Sequence, residues 1–191
     1  MIVYVCSYGG CASWTIVNHL RSKGIDAIHI HSNKAPSSKV NYTEEHFEYS
    51  KPLKENCKIL FVYRNPCCSV HTSKACSETH MKNIGSEVTK LSYSNKESVL
   101  KNCDKIGYES FFDSYHNCNV NEDYDILSFH TDHFWSHSKD ISDFLGVNIE
   151  EDMPEKKQQN NHTCSDYTHM FESLAKKIKS ESGPKLIKRK S

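Results

Sequence analysis

Long apolar runs, an excess of charge of either sign and paired cysteine motifs are all missing from this chain of 191 residues. Without a run of about 18 apolar residues, no segment reads as a membrane span. The 24 Lys and Arg balance the 24 Asp and Glu, which excludes a disordered polyelectrolyte and a protein that coats nucleic acid or membrane along its whole length. The nine Cys stand at 6, 11, 57, 67, 68, 76, 103, 118 and 164, with no CxxC pair and no regular spacing. An odd, unspaced set is not a disulfide scaffold, so a reducing, cytoplasmic compartment is expected. The apolar start Met1 to Cys6 is too short for the core of a signal peptide and runs straight into Gly9 and Gly10. Apolar residues are also scarce: counting Gly and leaving out Tyr they make up about 35% of the chain, against about 45–50% in an average domain. The length predicts one compact domain with a lean core, over 1–180, followed by a basic tail over 181–191.

Against that background the regular elements are legible. Residues 2–6 (IVYVC) read as a buried strand stopped by Gly9 and Gly10. A helix over 13–22 follows, with Ser13 as its cap, Trp14, Val17 and Leu20 as its core stripe and Gly24 as its stop. A second strand over 25–30 makes this a βαβ start to a parallel sheet. Residues 58–63 (KILFVY) are apolar throughout, as in a central strand covered on both faces. Pro66 suits the first position of a helix reaching Cys76. Weak helical patterns lie near 96–103 and 109–116. A strand over 125–130 leads through Thr131 and Asp132 into a helix ending at Gly146, and an amphipathic helix spans about 165–180. The expected fold is α/β, in three layers, with a central parallel sheet flanked by helices. The last sixteen residues hold six Lys and one Arg against one Glu, read as a solvated tail.

Two constellations carry possible chemistry. In Ser7-Tyr8-Gly9-Gly10-Cys11-Ala12-Ser13-Trp14-Thr15, the glycines let the chain bend so that several N–H groups point inward, and a helix N-terminus adds partial positive charge. That is either a phosphate cradle or an ordinary strand-to-helix turn. Its lack of Gly-Lys-Ser/Thr argues against an ATP or GTP kinase loop. In Tyr63-Arg64-Asn65-Pro66, followed by Thr72 and Ser73, an Arg ends a central strand, where α/β sheets bind ligands and where its planar fork suits a phosphate. Read alone, it is more often a surface Arg paired with a carboxylate.

Taken in order, SYGGCASWT, ILFVYRNPCCSVHTS and DILSFHTDHFWSHSKDISDFLGV resemble the successive landmarks of the sulfotransferase family, over roughly residues 2–147. The resemblance implies a P-loop NTPase-like architecture and transfer of a sulfuryl group from 3′-phosphoadenylyl sulfate, leaving adenosine 3′,5′-bisphosphate, to a small-molecule or carbohydrate acceptor. It implies that Gly10, Cys11, Ala12, Ser13, Trp14 and Thr15 serve the donor's 5′ end, and that Arg64 with Thr72 or Ser73 holds the 3′-phosphate. Gly9 stands where the family usually carries a Lys, so another cation supplies that charge or the transfer activity is weakened, leaving a nucleotide-binding module. The family's C-terminal basic segment has only a loose counterpart in Gly183-Pro184-Lys185 and Lys188-Arg189-Lys190.

Sulfuryl transfer also calls for a base near the acceptor hydroxyl. His31, just past the second strand, is the first candidate and His29 the second. His130, His133 and His137 are spaced for one helix face, which is more often a polar face than a metal site, and no metal is expected. Cys67 and Cys68 open a helix and read as small hydrophobes. Neither a membrane nor a nucleic acid is the expected partner.

Overall fold

The computed structural model describes residues 1–33, 57–72, 78–88, 103–117, 124–156 and 171–188. Its elements in chain order are β1 (Ile2–Cys6), α1 (Ser13–Ser22), β2 (Asp26–Ile30), β3 (Cys57–Tyr63), α2 (Pro66–Thr72), α3 (Glu78–Asn83), a 3-10 turn (Cys103–Ile106), α4 (Tyr108–His116), β4 (Ile126–His130), α5 (His133–Ser136), α6 (Ser138–Leu145), α7 (Glu172–Ser180) and β5 (Lys185–Ile187). The five strands form one sheet in the order β2-β1-β3-β4-β5. Among the described residues no helix is long and apolar enough to cross a membrane.

The two-residue period of each strand divides the core between the faces of this sheet. Val3, Val5, Leu60, Val62, Leu127 and Phe129 point to one side, where Ile16, Val17 and Leu20 of α1 and Ile141 and Leu145 of α6 cover them. Ile2, Tyr4, Cys6, Phe61 and Tyr63 point to the other, against Phe111, Phe112 and Tyr115 of α4 and Leu174 and Ile178 of α7. Phe61 and Tyr115 stack at 4.7 Å and 9°. With helices on both faces β3 is buried throughout its inner length, as its apolar run predicts.

Several expectations need correction. The sheet is mixed rather than wholly parallel: β1, β2, β3 and β4 are parallel, but β5 pairs antiparallel with β4, Ile126 facing Ile187 and Ser128 facing Lys185. The predicted solvated tail therefore contributes an edge strand, because Ile187 packs on the core and Lys185 Nζ donates to the His116 carbonyl at 3.2 Å. Trp14 is not core. It is 42% exposed, with its ring against the edge of His29 at 4.8 Å and Arg21 over its face at 5.8 Å, and Ile16 takes the inward position. The α1 cap is Ala12, in the left-handed conformation, rather than Ser13. The single helix expected before Gly146 is broken at His137, where the backbone leaves helical values and Nδ1 meets Asp140 Oδ2 at 3.0 Å. Gly146 ends α6 as expected, with φ 72° and its N–H on the Ser142 carbonyl at 2.7 Å. The proposed helical stretches at 73–76, 96–102 and 165–170 lie outside the described residues.

Candidate functional site

The order β2-β1-β3 means that the chain leaves β1 toward one side and later adds β3 on the other. Open α/β sheets bind ligands at this point of reversal, beyond the carboxyl ends of the strands. The segment after β1 is Ser7–Ala12 and the residue after β3 is Arg64, so the two sequence constellations meet at the reversal.

The Ser7–Ala12 loop is bent by three positive φ values, at Gly9 (125°), Gly10 (65°) and Ala12 (54°). Gly9 occupies a region that only glycine adopts without strain, and Ala12 holds its left-handed conformation at about 1 kcal/mol or more. The bends turn successive carbonyls inward, where donors take them. His31 Nδ1 lies 2.6 Å from the Ser7 oxygen. The Cys11 thiol donates to the Gly9 oxygen at 3.2 Å, Arg64 to the Gly10 oxygen at 3.4 Å, and the Thr131 hydroxyl to the Cys11 oxygen at 2.9 Å. The Ala12 oxygen accepts from Thr15 and Ile16 as α1 begins. With the carbonyls engaged, the first-turn amides of α1 present the partial positive charge of a helix N-terminus.

Arg64 is only 7% exposed. Tyr108, wholly buried, donates its hydroxyl to the Arg64 carbonyl at 2.7 Å and contacts Ser69 Oγ at 3.2 Å, and Ser69 Oγ in turn contacts Cys11 Sγ at 3.2 Å. Asn65 accepts from the Cys67 amide at 3.0 Å and so caps α2, with Pro66 at the first helical position as predicted. Burial pushes the Cys11 thiol above its ordinary pKa, keeping it a protonated donor. Thr72 ends α2, but its side chain, like Ser73, lies outside the described residues.

His29 and His31 stand behind the loop. The Ser7 oxygen can only accept, so His31 carries its proton on Nδ1 and presents Nε2 as a lone pair. Burial, and next the neighbouring His80, push its pKa down to about 4 against the Ser7 bond, so at neutral pH the ring is uncharged. Its ring lies 4.2 Å from that of His29 and 4.8 Å from that of His80. His29 is committed inward: Nε2 is 2.7 Å from Ser13 Oγ, which also accepts from Ser7 Oγ at 2.9 Å, and burial takes its pKa to about 2. Ser13 Oγ is therefore part of the support beneath the loop.

A cleft of about 570 Å³ runs along α1 from this loop, lined by Ala12, Thr15, Arg64 and Lys156 and also by the acidic Asp152 and Glu155. The Lys156 ammonium forms an ion pair with Asp132 Oδ1 at 2.9 Å and lies over the Trp135 ring at 5.8 Å. Of the predicted residues Ala12, Thr15 and Arg64 line the cleft, Gly10 touches Arg64 through its carbonyl, Cys11 is fully buried, and Trp14 is turned toward His29. Sequence reasoning missed Tyr108, Ser69, Thr131, Asp132, Trp135 and Lys156. Thr131 and Asp132 were visible only as a helix start, and Lys156 is hidden beside an acidic stretch. His130, His133 and His137 form a chain of ring contacts at 6.0 and 4.9 Å. Cys6, Cys11, Cys57, Cys67 and Cys68 are free thiols.

Compared with known proteins, the chain matches no family model, no curated protein and no solved structure.

Proposed function

We propose that this protein is a sulfotransferase that uses 3′-phosphoadenylyl sulfate and passes the sulfuryl group to a hydroxyl or amine of a small-molecule or carbohydrate acceptor. The observation that carries the reading is the contact of the Arg64 guanidinium with the Gly10 carbonyl, which makes the loop after β1 and the Arg after β3 one site at the point of strand reversal. The donor fits what is present: the loop's carbonyls are engaged behind it, a cation and a helix N-terminus converge, and the adjoining cleft is of nucleotide size. Bound there, the donor supplies the sulfuryl group and leaves as adenosine 3′,5′-bisphosphate.

The chain's own residues divide the remaining work. The amides at the start of α1 hold the 5′ end and Arg64 the 3′-phosphate. His31 Nε2 is the base for an acceptor hydroxyl that arrives from the β2 side of the loop rather than along the α1 cleft, taking its proton as the oxygen bonds to sulfur. That ring is neutral at pH 7 and so holds a free lone pair, although burial makes it a weaker base than an ordinary imidazole.

Calorimetric titration with adenosine 3′,5′-bisphosphate tests the donor assignment. Micromolar binding is expected, with Arg64→Ala weakening it by at least about tenfold, the worth of one charge-assisted hydrogen bond. Absence of heat and of any thermal shift at millimolar nucleotide refutes it. A second reading, nucleotide binding without transfer, is favoured by one observation: no Lys or Arg stands between Ser7 and Thr15. Bound nucleotide with no sulfate passed to a broad acceptor panel would select it.

A further inference from the structure

The Asp132 carboxylate occupies an odd place. It follows directly on Thr131, whose hydroxyl clamps the Cys11 carbonyl, so it stands next to the phosphate loop where a negative charge opposes an anionic ligand. Three cationic or basic groups surround it. Lys156 Nζ is 2.9 Å from Oδ1, His130 Nδ1 is 3.7 Å from Oδ2, and Arg64 is close enough to act on it electrostatically. Burial pushes the Asp132 pKa up, but the Lys156 bond first, and then His130 and Arg64, outweigh this and hold it below the ordinary carboxylate value.

Lys156 lines the same cleft as Ala12, Thr15 and Arg64. It reaches in from the segment after α6, far in sequence from the loop. Both partners of its ion pair are about half exposed, and such a pair is weak enough to be exchanged. A phosphate offers more charge and more acceptor oxygens than a carboxylate, and a Lys ammonium on its flexible stem can follow it.

We propose that Lys156 is the phosphate-binding cation that the loop itself lacks, and that Asp132 is its stand-in anion, released when a phosphorylated nucleotide enters the cleft. Lys156 and Arg64, which line one cleft and both act on the Asp132 carboxylate, then supply two cations to the phosphates of the ligand. This rests on the donor reading of the cleft and adds to it a residue and a competition.

The test is calorimetric titration of adenosine 3′,5′-bisphosphate at low ionic strength into wild type, Lys156→Gln, Lys156→Ala, Asp132→Asn and the Asp132→Asn/Lys156→Gln double variant, with thermal midpoints recorded for each. Loss of Lys156 is expected to weaken binding about tenfold. Asp132→Asn is expected to tighten it about threefold or more, by an amount clearly larger when Lys156 is present than in the double variant, because only then is a cation released. Equal affinity of wild type and both Lys156 variants, or an equal Asp132→Asn gain in both backgrounds, overturns the proposal while leaving the donor reading intact. A wild type that does not bind the nucleotide at all overturns the donor reading, and this role for Lys156 with it.

Discussion

Lowering the pH from 7 to 5 should remove a large part of this protein's stability, through histidines rather than carboxylates. His29, His31, His80, His116, His130 and His133 are all held below the ordinary imidazole pKa, in each case first by burial. For a group of this kind the unfolded chain binds the proton more readily. The stabilising contribution is complete above the unfolded pKa of about 6.5 and is lost as pH falls from there toward the folded value. His31 and His130 have folded values of about 4 and His29 of about 2. At pH 5 each therefore costs the folded state roughly 2 kcal/mol, at about 1.36 kcal/mol per unit of pKa difference. The three together amount to something on the order of 5 kcal/mol, as much as the whole stability of a marginal domain. Carboxylates are still ionised at pH 5, so the window isolates the imidazoles. Urea unfolding at half-unit steps between pH 7.5 and 5 measures the slope, which should show at least two protons taken up on unfolding near pH 5.5. His31→Gln should flatten it by about one proton. An unfolding free energy that changes by less than about 1 kcal/mol across the window would refute the burial argument.

Two further outcomes follow from the support beneath Arg64. Tyr108→Phe removes the hydroxyl that satisfies the buried Arg64 carbonyl. It should lower stability by about 1–3 kcal/mol, or several degrees in Tm, and weaken adenosine 3′,5′-bisphosphate binding in parallel; unchanged urea midpoint and affinity would remove Tyr108 from the site's support. Gly107→Ala places a Cβ 2.7 Å from the Gly85 carbonyl oxygen at φ +68°. A loss of at least about 2 kcal/mol in urea unfolding is expected, since the obstacle is backbone and cannot swing aside.

The parts of this fold that the sequence announces are those where one local signal dominates. β1 and β3 are uninterrupted apolar runs, and Gly146 and Pro66 mark a stop and a start in the only conformations they favour there. β5 was hidden because Leu186 and Ile187 sit among lysines, and periodicity cannot separate a three-residue edge strand from a cationic tail. Trp14 was misplaced because its size reads as core. An indole at the first turn of a helix can instead lie across a neighbouring ring, as it does on His29. The same division holds for the site. Gly9, Gly10 and Arg64 are legible from residue type and position on a strand. Lys156, Asp132 and Tyr108 reach it from segments about 45 to 145 residues away in the numbering, and their roles exist only once the sheet brings them together.

The antiparallel strand β5 has a consequence for how the protein is made. β4 ends beside the candidate site, and its outer edge is covered by residues 185–187, roughly sixty positions later in the chain. In a chain emerging from the ribosome at about 5–20 residues per second, the outer edge of β4 therefore has no partner in this sheet until several seconds after β4 itself is made. During that interval the nascent chain is exposed to pairing with other strands. The lysines at 185 and 188 that flank Leu186 and Ile187 make the late strand a poor template for such pairing until it docks on β4.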